Sequence, residues 1–227
     1  MRSKKMLFVI STVLVAGLLT GCGTGENTNG STGGTKTEET NQEKIIAKFH
    51  PTIETKEEDD TVIVNFKVKN TSGEMQKLTF STGLKADYII YDENGKKVKQ
   101  YSEDAMSTQA IEEITLEENQ EIENGFTISD LYNGRFTIEV FLTAQEEDVR
   151  VTTDLIIEQS IYNKGKGLLI GQIDPHTIEL DLDGEKAAYQ LTEETMEQLT
   201  LFNEGDTIEF VFTETDIQKT IVSFLTK

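Results

Sequence analysis

The sequence predicts an all-β protein: an antiparallel β-sandwich of immunoglobulin type, followed by a small OB-like β-barrel with one short helix. Three observations carry this. Period-two alternation runs through most of the chain beyond residue 44, polar turns separate the alternating runs at short spacing, and one helical stretch interrupts the last third. With 36% hydrophobic residues the chain can bury cores.

The chain opens with a different pattern. Arg2, Lys4 and Lys5 precede an apolar stretch from Met6 to Leu19, broken by Ser11, Thr12 and Gly17. A basic head and an apolar run too short to span a bilayer comfortably have the layout of a secretory signal. Leu19-Thr20-Gly21-Cys22 ends it and resembles the lipobox of bacterial lipoproteins. That resemblance implies that the Cys22 thiol carries a diacylglycerol and that cleavage before it makes Cys22 the mature N-terminus. Cys22 is the single cysteine, so an internal disulfide is impossible and a lipid explains a thiol that would otherwise be exposed. Two acyl chains hold a protein at a membrane stably. The expected location is the extracytoplasmic side of the cell membrane, with the lipid at Cys22 as the membrane contact.

Residues 1–21 are therefore read as signal and 22–44 as a flexible linker. The run GTGENTNGSTGGTKTEETNQEK has almost no apolar residue and cannot bury enough surface to offset its ordering entropy. As a coil it spans about 25 Å root-mean-square.

Residues 45–159 are assigned to the sandwich. TVIVNFKVKN sets Val62, Val64, Phe66 and Val68 on one face against Ile63, Asn65, Lys67 and Lys69 on the other. QKLTFST, ADYIIYD, KKVKQYS, AIEEITL, EIENGFTI and GRFTIEVFLTA follow as strands. Turns are expected at Glu57–Asp60, at Asn70–Gly73 and at Asn94-Gly95, the last as a type I′ hairpin.

Residues 160–227 are assigned to the barrel. Strands are predicted at Gly167–Ile173, Thr177–Leu182 and Lys186–Gln190, with turns at Asp174-Pro175 and Asp183-Gly184. A helix follows from Glu193 to Phe202 with Thr192 as N-cap and Met196, Leu199 and Phe202 on one face. Strands Thr207–Thr213 and Lys219–Thr226 complete the order of an OB-like barrel.

Charge and residue inventory limit the function. The net charge is −20, and removing the signal leaves 18 basic against 41 acidic residues, a net of −23. Such a surface repels phosphates, so no nucleic-acid partner is expected. The barrel segment has five basic against thirteen acidic residues, the wrong sign for a single-strand groove. His50 and His176 are the only histidines, and each sits beside a proline in a predicted turn. Asp181-x-Asp183-Gly184-Glu185 begins like a calcium loop but lacks the further ligand positions and the flanking helices, and is read as a hairpin turn. No catalytic residue, metal site or cofactor is expected, and the chain is read as a non-enzyme.

Residues 62–142 resemble the BsuPI domain, the intracellular proteinase inhibitor family of bacilli. The residues that carry the resemblance are Asn70-Thr71-Ser72, Leu78 to Gly83, Asp87-Tyr88, Asp92 to Gly95, Tyr101-Ser102, Met106 to Gln109 and Gly134 to Ile138. Two depart from the pattern: Tyr101 stands where the family has Trp, and Met106 where it has Phe. The resemblance implies an immunoglobulin-like sandwich and a protein partner, with a serine protease of the subtilisin type as the candidate. The export signal places this chain across the membrane from an intracellular target, so the expected target is extracellular. An inhibitor must present a segment whose bound shape costs little to adopt. The candidate protease-contact loop is SEDAMSTQ, with Ser102, Met106, Ser107 and Thr108 as its residues. Met106 either fills an apolar pocket of the protease or plugs the core at the base of the loop, and the family's Phe favours the plug. The alternative function is a cell-envelope binding or interaction module without inhibitory activity.

Overall fold

The alternating runs form strands in the computed structural model, which describes residues 47–225. The signal, Cys22 and the linker lie outside the described residues. In chain order the first part consists of β1 (Phe49–Glu58), β2 (Thr61–Asn70), β3 (Gln76–Phe80), β4 (Ala86–Asp92), β5 (Lys97–Gln100), the one-turn helix α1 (Tyr101–Asp104), β6 (Glu112–Leu116), β7 (Glu121–Ile128), β8 (Gly134–Leu142) and β9 (Arg150–Ile157). The second part consists of β10 (Tyr162–Asp174), β11 (Thr177–Leu182), β12 (Glu185–Leu191), α2 (Glu193–Leu199), β13 (Thr207–Glu214) and β14 (Lys219–Phe224).

One sheet of the sandwich has the order β1-β2-β7 and the other β5-β4-β8-β9, all antiparallel. β3 and β6 form a separate ribbon, which a Phe80–Ala144 bridge joins to the chain just after β8. The inward face read from TVIVNFKVKN is buried as expected, and Val64, Phe66 and Val68 pack with Tyr88, Ile90, Phe126, Ile138 and Val140. Each such side chain contributes about 1.5–3 kcal/mol by leaving water.

Four local expectations are corrected. β1 and β9 are strands that the sequence reading did not single out, and His50 lies in β1 opposite Lys69 rather than in a turn. The strand expected through Ser102 stops at Gln100, where α1 begins. At Asn94-Gly95 only Gly95 takes a positive φ, +76°, so the hairpin is not type I′. The Gly95 N–H instead bonds the Asp92 carbonyl, and the Asp92 carboxylate accepts from the Asn94 and Lys96 N–H groups. Burial alone would raise the Asp92 carboxyl, but these two backbone bonds, with the Asn94 side chain and the charge of Lys164, together hold it below its usual range.

The second part is a closed barrel of order β10-β11-β12-β14-β13, with β12 and β14 parallel. This is the OB connectivity, and α2 fills its expected place between the third and fourth strands. The Asp183-Gly184 turn is of type I′, with φ of +54° and +95°, and the Asp181 carboxylate accepts from the Gly184 N–H. At Gly165 the long first strand passes so close to Phe210 that a Cβ would sit 2.5 Å from its ring. The Thr192 hydroxyl caps α2 by accepting from the Thr195 N–H. The helix ends at Leu199, three residues earlier than expected, yet Met196, Leu199 and Phe202 pack on the barrel core as the spacing predicts.

The described residues, 47–225, fall in one compact unit. Val211 is buried in the sandwich's core cluster, and Tyr162, Val222 and Leu225 pack against the same cluster. Asn133 adds polar bonds at this junction, donating to the Ser160 carbonyl and to Asn163 Oδ1 and accepting from the Ser160 N–H.

Candidate functional site

The site is assembled around β4. Asp87, 3% exposed, accepts from the Tyr88 and Ser102 N–H groups through Oδ1, at 2.8 and 3.0 Å, and from Gln100 Nε2 through Oδ2 at 2.8 Å. These bonds stop β5 and turn the chain into α1. Tyr101, the first residue of α1, stacks on Tyr88 at 5.6 Å and meets Phe126 edge-on at 5.0 Å. Tyr101 thereby fills this corner of the core with its ring. Burial, with lesser contributions from Asp104 and Asp87, pushes the Tyr88 phenol up to about 12.

From α1 the chain runs through Ala105–Ile111 to β6. Ser102, Met106, Ser107 and Thr108 are all exposed. The loop is pinned at its middle, where the Gly83 N–H donates to the Thr108 carbonyl at 3.0 Å. A Cβ on Gly83 would lie 2.6 Å from Thr108 Oγ1, so the approach depends on glycine. Met106 is 102% exposed and Ile111 72%. Met106 is therefore no core plug: Tyr101 already closes the core beneath the loop, half-buried Ala105 takes the inward position, and the next side chain points to solvent.

A cleft of about 240 Å³ shares Gly83 with the loop and is lined by Leu84, Tyr101, Asn124 and Phe126. The Lys85–Glu112 ion pair, at 2.8 Å, lies among its walls. Asn124 Nδ2 is buried there without a hydrogen-bond partner. The signal for it was in the sequence, because EIENGFTI places Asn124 on the inward face between Ile122 and Phe126.

The other end of β6 is held by Asn70, which is fully buried. Its Nδ2 donates to the carbonyls of Glu74, Leu116 and Glu117, and its Oδ1 accepts from the Ser72 N–H and hydroxyl. The Asn-Thr-Ser motif is thus a structural knot between β2 and β6. His50 and His176 are exposed on separate parts of the molecule. Among the described residues no group of three or more His, Cys, Asp or Glu is placed to hold a metal ion.

The class defined by these features is an immunoglobulin-type sandwich joined to an OB-type barrel, with a pinned and exposed loop on the sandwich. Residues 49–147 match the BsuPI family, described as intracellular proteinase inhibitor, and residues 161–224 match the LytA beta-barrel domain. The chain thus carries a BsuPI domain followed by a LytA-type barrel. The membrane-bound protein LytA of Bacillus subtilis (strain 168) is 30% identical over 73 residues, 32% of this chain and 65% of that protein. The chain therefore spans 65% of the length of this curated relative. Among solved structures, the sporulation control protein Spo0M of Bacillus subtilis is similar over 75% of this chain and 76% of its own, at 12% identity and a TM-score of 0.35. The CARDB domain of PF1109 from Pyrococcus furiosus is similar over 50% of this chain and 96% of its own, at 15% identity and a TM-score of 0.31. No helix among the described residues is long and apolar enough to cross a membrane.

Proposed function

We propose that this protein is a membrane-tethered inhibitor of an extracytoplasmic serine protease of the subtilisin type, held by a diacylglycerol on Cys22 and acting through Ala105–Ile111. The observation that carries the reading is Met106. A large apolar side chain stands fully in solvent on a loop fixed at Thr108 and at α1, so a protease pocket could bury it with little ordering cost. The match to a family of intracellular proteinase inhibitors supports inhibition, and the similarity to the membrane-bound protein LytA of B. subtilis supports a place at the membrane.

The test is peptide-substrate turnover by a panel of subtilisin-like proteases, followed as the protein is added. Inhibition saturating near one-to-one is expected, and Met106→Asp should abolish it while leaving the melting temperature unchanged, because the side chain packs on nothing. A flat response across the panel would overturn inhibition and leave the envelope-binding module. For the anchor, radiolabelled palmitate should enter the protein in cells and Cys22→Ala should lose the label and release the protein. Labelling that survives the substitution would refute the lipid site.

A further inference from the structure

The barrel is closed by one short seam. β12 pairs with β11 along Glu185–Gln190, but with β14 only at Gln190–Thr220 and Leu191–Ile221. The cause is local: β13 and β14 reverse through Thr215–Gln218, a turn closed by the Thr215 N–H on the Gln218 carbonyl at 2.8 Å. The chain that would continue the parallel ladder curls away before it reaches Tyr189. Five residues of β12, Glu185–Tyr189, thus have no strand on that side, and in an antiparallel pair every second residue aims both its N–H and its C=O away from the partner.

The gap is a cleft rather than a covered seam. About 390 Å³ lies between Ala187 and Ala188 of β12 and the reversal that carries Ile217. Alanine is depleted in strands, and two in succession clear room on both faces of the open edge. Ile217 stands over the cleft 94% exposed. Lys186 is paired with Glu179 and Lys219 with Glu214, whereas Glu185 and Asp216 beside the edge form no ion pair among the described residues.

We infer that the open edge of β12 is a docking site for an extended polypeptide of net positive charge, which adds to the barrel as a strand. Main-chain hydrogen bonds to Lys186–Tyr189 would supply the affinity, as in other strand additions. Five residues of strand are about 17 Å long, enough for a peptide of five or six residues. An apolar side chain of that peptide would pack under Ile217, and the carboxylates of Glu185 and Asp216 select for lysine or arginine beside it. This inference does not depend on protease inhibition, since it lies on the barrel rather than the sandwich.

The test uses the full chain in detergent micelles and a capped hexapeptide of alternating lysine and valine, added up to millimolar concentration. Amide hydrogen exchange should slow in Lys186–Tyr189, and the same peptide with alternate nitrogens methylated should bind at least about tenfold more weakly, because it cannot complete the ladder. Asp216→Lys, an exposed change on the reversal, should weaken the unmodified peptide about tenfold at low salt without altering the melting temperature. Three outcomes would overturn the inference: unchanged exchange at millimolar peptide, equal binding of the methylated peptide, or protection that follows protein concentration without peptide and so reports a second copy on the edge.

Discussion

Asn70→Ala should cost this protein a large part of its stability without changing its surface. Five hydrogen bonds meet on one fully buried amide, and alanine removes them all. The bond to the Leu116 carbonyl is wholly buried, and orphaning that acceptor costs about 1–3 kcal/mol. The four partners at Glu74, Glu117 and Ser72 are partly open to water, and losing those bonds adds about 0.5 kcal/mol each, the low end for a net hydrogen bond. The expected loss is about 3–5 kcal/mol, against a total of about 5–15 kcal/mol for an ordinary domain. Urea denaturation read by tyrosine fluorescence should show the midpoint falling while its slope stays constant. Asn70→Asp keeps the acceptor for Ser72 but turns a negative charge on three carbonyl oxygens, so near neutral pH it should be no better than alanine. A loss under about 1 kcal/mol for the alanine variant would refute the argument, because it would mean that water replaces every bond.

Other outcomes follow from the same geometry. Asn124→Leu should raise stability by about 1–2 kcal/mol, since it removes a buried donor that nothing accepts, and a fall in the urea midpoint would show that the amide is satisfied. Gly83→Ala should push Thr108 off its seat and speed thermolysin cleavage within Ala105–Ile111; adding Thr108→Ala, which deletes the atom at 2.6 Å, should restore resistance, and a failure to restore it would place the strain elsewhere. The phenols of Tyr88 and Tyr132 are pushed up to about 12, chiefly by burial. An unfolded tyrosine titrates near 10, so the folded state holds these protons longer, and their stabilisation is complete below about pH 10 and drains away toward pH 12. The melting temperature should fall across that window, and the Tyr88→Phe, Tyr132→Phe double variant should lessen the fall; an unchanged pH dependence in the double variant would contradict the burial argument.

What was legible beforehand followed from burial on one side. β2 alternates cleanly and was bounded correctly, while β4 and β11, with runs of adjacent buried residues, were bounded by the turn residues that flank them. β1 and β9 are edge strands, and FHPTIETKEE and RVTTDLII carry a proline, threonines and charges where an interior strand would carry valine or isoleucine. The barrel order was readable because its turn glycines, its N-capped helix and its five short runs agree with one another. Met106 was misjudged for a different reason. The Phe that the resemblance implies at that position suggested packing, yet the residue that closes the core beneath the loop is Tyr101, five positions earlier. The open edge of β12 was invisible, because it depends on where the β13–β14 reversal curls in space.

The junction of sandwich and barrel bears on how such a chain can change over generations. Two family descriptions divide it into parts that look interchangeable. Yet Val211 of the barrel is buried in the sandwich's core, and Val222, Leu225 and Tyr162 lean on that core from the same side. A gene shortened at the boundary would leave an apolar scar on each fragment, prone to clumping during synthesis. A replacement for either half would therefore have to bring a matching apolar seam.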